Sequence, residues 1–125
     1  MIPAEDEVRI RETHERYYQA LSDRDMDALA ANFAFPASFK GFLESVVVAT
    51  DKTSLAAAFD LLIAATPKSE RTEIRSMDAS YLRPNTYMLD TSYVLYDASD
   101  TVVHDGRAIY FMNRVENEVK IFAIV

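Results

Sequence analysis

Residues 101–115, TVVHDGRAIYFMNRV, decide the reading of this chain. Val102, Ala108, Tyr110 and Met112 share one parity; Val103, Ile109, Phe111 and Val115 share the other. Successive side chains on a strand point to opposite faces of a sheet. A strand with one wet face alternates apolar with polar residues. From Ala108 to Met112 this one does not, so both faces are expected to be covered. The chain's own helices can supply one cover and a second subunit the other. The stretch is also much longer than a usual strand of about 5–6 residues, so it is expected to curve. Gly106 falls where a bend or bulge would sit, because a residue without Cβ tolerates the backbone angles. Helices laid across the concave side of such a sheet can enclose a pocket.

Working outward, Pro3–Leu21 reads as a helix. Pro3 suits its first turn, and Glu5, Asp6 and Glu7 favour the positive end of its dipole. Ile10, His14, Tyr17 and Leu21 form one face. Asp25 caps a second predicted helix, Met26–Phe33, with Met26, Leu29, Ala30 and Phe33 on one side. Phe35–Phe42 and Glu44–Thr50 read as short strands, the first with Gly41 near its end. Asp51 caps a third helix, in which Leu55, Ala58, Phe59, Leu62 and Ile63 follow the helical template, and Pro67 ends it. Strands are expected over Glu73–Leu82, Thr86–Asp97, the stretch quoted above and Glu118–Val125. Their turns lie at Arg83-Pro84-Asn85, Ala98-Ser99-Asp100 and Glu116-Asn117. Helices first and adjacent antiparallel strands later make an α+β pattern.

With 125 residues, one domain spanning 1–125 is expected. Apolar residues make up 50% and charged residues 26%, the balance of an ordinary globular chain. No apolar run approaches the ~20 residues that span a bilayer, and MIPAEDEVRI lacks the basic and apolar regions of a signal peptide. The absence of cysteine excludes disulfides and thiol chemistry, and a cytoplasmic location is the expectation. A net charge of −7 argues against nucleic acid and anionic membrane surfaces, which need clustered Lys and Arg.

Three stretches, RYYQALSDRDMDALAANFAFP, TDKTSLAAAF and GRAIYFMNRVENEVKIFAIV, in this order and spacing, resemble the nuclear transport factor 2-like superfamily. That superfamily also holds ketosteroid isomerases and SnoaL-like polyketide cyclases. The resemblance covers nearly the whole chain and implies a cone, with helices closing over a curved sheet around a pocket. It also implies a homodimer through the outer sheet face. It does not choose an activity, because the fold hosts enzymes and non-enzymes alike.

The resemblance gives Tyr17 a role, since isomerases carry on their first helix a tyrosine that donates a hydrogen bond to the substrate oxyanion. The other reading of Tyr17 is a core tyrosine with a satisfied hydroxyl. The isomerase acids are missing. FPASFKGF has no carboxylate where the general base belongs, and Arg107 or Ala108 stands where the second acid belongs. Chemistry of that type is therefore disfavoured.

Asp90 interrupts the β-favouring run TYMLDTSYVLY. Inside a curved sheet its pKa would be raised by desolvation, and it could act as acid or base. The alternatives are a solvent-facing position or an ion pair with an arginine such as Arg107. His14 shares the first helix's apolar face with Tyr17 and can border the pocket. With two histidines, no cysteine and no HxxxH spacing, no metal site is expected. Two glycines build no phosphate or dinucleotide loop, and no cofactor is expected. Phe33, Phe39 and Tyr110, with His14, are the expected lining of a site for a small hydrophobic ligand. If the chain is an enzyme, acid–base chemistry such as isomerisation, cyclisation or dehydration is expected, with Tyr17 as donor and Asp90 as base. The alternative is a non-catalytic dimeric association or ligand-sensing domain.

Overall fold

The computed structural model describes residues 1–125. Three helices, α1 (Ala4–Asp23), α2 (Met26–Ala30) and α3 (Lys52–Ala65), accompany six strands. These are β1 (Phe33–Phe39), β2 (Val47–Ala49), β3 (Arg71–Arg83), β4 (Thr86–Tyr96), β5 (Val102–Val115) and β6 (Glu118–Ile124). The strands form one curled, unclosed sheet in the order β2-β1-β6-β5-β4-β3. All its neighbours are antiparallel except β1 and β6. The architecture is α+β, with the helices over the concave face.

Local chemistry explains most boundaries. Pro3 precedes α1, whose first turn holds Glu5, Asp6 and Glu7 against the helix dipole. Arg24 ends α1 in the left-handed region (φ 56°), and its N–H reaches the carbonyls of Ala20 and Leu21. Asp25 accepts from the Ala28 N–H and caps α2. Asp51 and Ser54 form a full capping box on α3. The Thr13 hydroxyl donates to the Val119 carbonyl at 2.7 Å and pins α1 over β6. An ion pair between Lys52 and Asp27 ties α3 to α2.

Two sequence expectations shift here. The second helix stops at Ala30 instead of Phe33, and β1 starts at Phe33 instead of Phe35. The Asn32 carbonyl accepts from the Ile121 N–H at 2.8 Å, and Phe33 pairs with Ile121. A parallel strand from the far end of the chain thus claims residues whose local pattern reads as helix. Gly106 is not a bulge. It sits in regular register opposite Tyr93, and the irregularity in the β4–β5 ladder lies nearer the strand start, where Leu95 faces His104 but Tyr96 faces Val102. The reason for a glycine is crowding: a Cβ there would lie 2.5 Å from His104 Nε2 and 2.9 Å from the Tyr93 hydroxyl.

The core lies between α1, α3 and the concave face. Ile10, Leu29, Leu55, Leu89, Met112 and Ile121 are fully enclosed in it. On β5 the inner residues Tyr110 and Met112 are buried, while Ile109 and Phe111 on the outer face are half-buried. No element of the chain's own covers that outer face. At one end of α1, Asp6 is wholly enclosed. It accepts from the Tyr87 hydroxyl and pairs with Arg9 at 3.0 Å and Arg114 at 3.3 Å.

Candidate functional site

The 3.6-residue period of α1 turns His14 and Tyr17 inward, and strand alternation brings Tyr110 to meet them. The His14 and Tyr110 rings meet edge to face at 4.9 Å, and Tyr17 and Tyr110 at 5.4 Å. Tyr17 is 7% exposed and Tyr110 6%. Burial raises the Tyr17 hydroxyl well above its ordinary pKa, and the nearby Tyr110, Tyr18 and Tyr93 phenols act in the same direction. Tyr110 is likewise raised by burial. Burial alone lowers His14 to about 4. All three groups are therefore uncharged at neutral pH. The Nε2 of His14 is buried and has no hydrogen-bond partner.

Two further residues complete this face. Thr91, opposite Ala108, donates to the Ala108 carbonyl at 2.8 Å. Tyr93 stands on the same face of β4 and is raised in pKa by burial. Sequence reading passed over both. The parity they share with Tyr87 and Leu89 was the available signal. Toward the strand start, His104 meets Phe42 edge to face at 5.0 Å and Tyr93 at 6.0 Å. None of the inner-face residues of β4 and β5 alongside this group is a carboxylate, lysine or arginine.

The other expected lining residues are placed differently. Phe33 and Phe39 pack edge to face at 5.5 Å, and both contact Phe59. Phe33 also meets Tyr17 at 6.0 Å. These three rings pack against one another in the interior beside α3. Asp90 stands one residue out of phase with Leu89 and Thr91. It lies opposite Ile109 and Asp78 on the outer face. Arg107 grips it with two hydrogen bonds, one of 2.8 Å. That bonding holds the Asp90 carboxyl below its ordinary pKa, against the opposing effect of burial. This is the ion-pair alternative, and a correction to the expected upward shift. The sheet separates Asp90 from Tyr17.

A separate cleft of about 560 Å³ opens between α1, α2 and the start of β6, lined by residues such as Arg16, Asp23, Asp25, Asn32 and Lys120. It is open and carries both signs of charge, the character of a solvated groove. His14, Tyr17, Tyr93 and Tyr110 do not line this cleft; they bring buried polar atoms together inside the cone. No group of three or more His, Asp or Glu side chains is arranged to hold a metal ion. No helix is long and apolar enough to cross a membrane.

Neither a family model nor a curated protein matches the chain in sequence. Solved structures do match in shape. A cystatin-like protein of unknown function from Nostoc punctiforme aligns with a TM-score of 0.77 at 14% identity, over 98% of this chain and 90% of that one. A nuclear transport factor 2-like protein of unknown function from Pseudomonas putida aligns at 0.74 and 16% identity, over 99% and 87%. A protein from Catenulispora acidiphila, solved in complex with S-DNPA, aligns at 0.72 and 12% identity, over 98% and 92%. The chain has the nuclear transport factor 2-like, cystatin-like cone fold.

Proposed function

We propose that this chain binds a small, largely apolar and uncharged molecule between α1 and the concave face of the sheet. The observation that carries this reading is the grouping of His14, Tyr17, Tyr93 and Tyr110, whose immediate neighbours on the inner face of β4 and β5 carry no ionised side chain. Burying a charged ligand among them would cost several kcal/mol with no counter-charge to offset it. Apolar walls with a few hydroxyls suit a ligand that carries isolated oxygens. Tyr17 is the donor to one of those oxygens. The ligand complex of the Catenulispora protein supports the use of this fold for binding.

Binding is favoured over acid–base catalysis, because the Asp90 carboxylate faces away from Tyr17 and is committed to Arg107. The half-buried Ile109 and Phe111, with Phe122 near Phe111 at 6.2 Å, favour a second element of the reading. The outer sheet face pairs with a second copy of the chain.

The test is a thermal-shift screen with hydrophobic carbonyl, sterol-like and polyketide-like compounds, run beside Tyr17→Phe. A ligand at a hundred times its dissociation constant adds about 2.7 kcal/mol. In a domain of this size each kcal/mol raises Tm by roughly 2–8 °C. Hits that weaken in Tyr17→Phe support the interior site. A broad library with no hit would move the weight to a non-catalytic association domain.

A further inference from the structure

His14 holds the one buried side-chain nitrogen or oxygen in the chain that lacks a hydrogen-bond partner, its Nε2. Such an atom is costly, and native structures rarely leave one without a reason. Its neighbours do not satisfy it. Tyr110 presents its ring at 4.9 Å, and Tyr17 and Tyr18 stand at 6.1 and 6.4 Å between centroids. The Thr91 hydroxyl is committed to the Ala108 carbonyl. The surrounding phenols are good donors, and an imidazole with its proton on Nδ1 offers at Nε2 an acceptor that they do not duplicate.

We propose that His14 Nε2 accepts the hydroxyl hydrogen of a bound aromatic or enolic alcohol, so that the site selects neutral phenol-type ligands over their ethers and over ketones. The proposal rests on the interior-binding reading above. A phenolic oxygen can donate to Nε2 while its lone pairs accept from the Tyr17 or Tyr110 hydroxyl. A ketone or ether oxygen only accepts, and would leave Nε2 unpaired. The rings of Tyr17, Tyr18 and Tyr110 around His14 offer edges and faces that an aromatic body can pack against. The proton stays on the ligand, since burial disfavours an imidazolium here. Nε2 is closed to water, so the ligand enters by displacing the half-buried side chains of Tyr18 and Tyr93.

The chain has no tryptophan, so a fluorescent naphthol can be titrated against a dark background. The probes are 2-naphthol, 2-methoxynaphthalene and 2-acetonaphthone, the last two read by competition or calorimetry. The expected result is about tenfold tighter binding of 2-naphthol than of either other probe, the consequence of pairing a buried acceptor. In His14→Phe the ratio of 2-naphthol affinity to methyl-ether affinity should fall to about one. If the variant does not fold, the wild-type ratios and the shift of the His14 Nε2 ¹⁵N resonance on adding 2-naphthol decide the matter. Equal binding of all three probes overturns the hydroxyl assignment and leaves interior binding standing. Binding of none overturns both.

Discussion

The Tyr87 hydroxyl donates to the Asp6 carboxylate across 81 positions of sequence, and both side chains are enclosed. Asp6 lies in the first turn of α1 and Tyr87 near the start of β4, so this bond joins helix to sheet. The cost of burying Asp6 works against its ionisation. Hydrogen bonds from Tyr87 and Arg9 and the charge of Arg114 overcome it and hold the carboxyl below its ordinary pKa. The carboxylate in turn helps push Tyr87 up to about 12, adding to the effect of burial.

Asp6→Ala should cost roughly 3 kcal/mol by urea denaturation at pH 7, the lower end for breaking a buried ion pair. The lower end applies because Arg9 and Arg114 keep 28% and 26% of their side chains exposed. Because the folded pKa is depressed, this stabilisation is present above the unfolded value of about 3.9 and is lost as pH falls through the folded one. A loss below about 0.5 kcal/mol would mean that the network is not coupled to folding.

His14 titrates in a different window. Its folded pKa, about 4, lies below the unfolded value near 6.5, so the unfolded chain binds the extra proton between them. Stability from this group is full above about 6.5 and falls as pH drops toward 4. The expected loss between pH 7 and pH 5 is about 2 kcal/mol, absent in His14→Phe. An NMR titration of the His14 ring with a midpoint near 6.5 would contradict its burial.

Gly106→Ala places a methyl group against the ends of His104 and Tyr93. Both are flexible tips, so they should swing aside at about 1 kcal/mol, the low end for overpacking. The His104 ring resonances should move with them, while the His14 resonances stay. Unchanged Tm and unchanged His104 shifts would mean that the two tips do not converge on Gly106.

Phe111→Glu puts a charge in the middle of the half-buried outer face of β5. Light scattering should show a dimer for the wild type and a monomer for the variant, with little change in far-UV circular dichroism. A wild-type chain that is monomeric at micromolar concentration would refute pairing through this face.

Local sequence determined a good deal of this protein. Asp51 with Ser54 marks the start of α3, and the period of four and three along α1 places Ile10, His14 and Tyr17 on the buried side. These are legible because capping and periodicity act over a few residues. The two apolar parities of 101–115 likewise announced the longest strand. What lay beyond local reading depends on partners distant in sequence. Phe33 belongs to β1 because Ile121 pairs with it, and Asp90 faces outward because its register with Ile109 sets its parity. A polar residue in a strand reads the same on either face until the neighbouring strand is placed. Phe33, Phe39 and Phe59 close part of the interior, and Asp6 finds Tyr87, only when helices and sheet meet. Tertiary packing alone decided which side of the sheet each polar group occupies, because that choice is made by the whole core and by no segment of it.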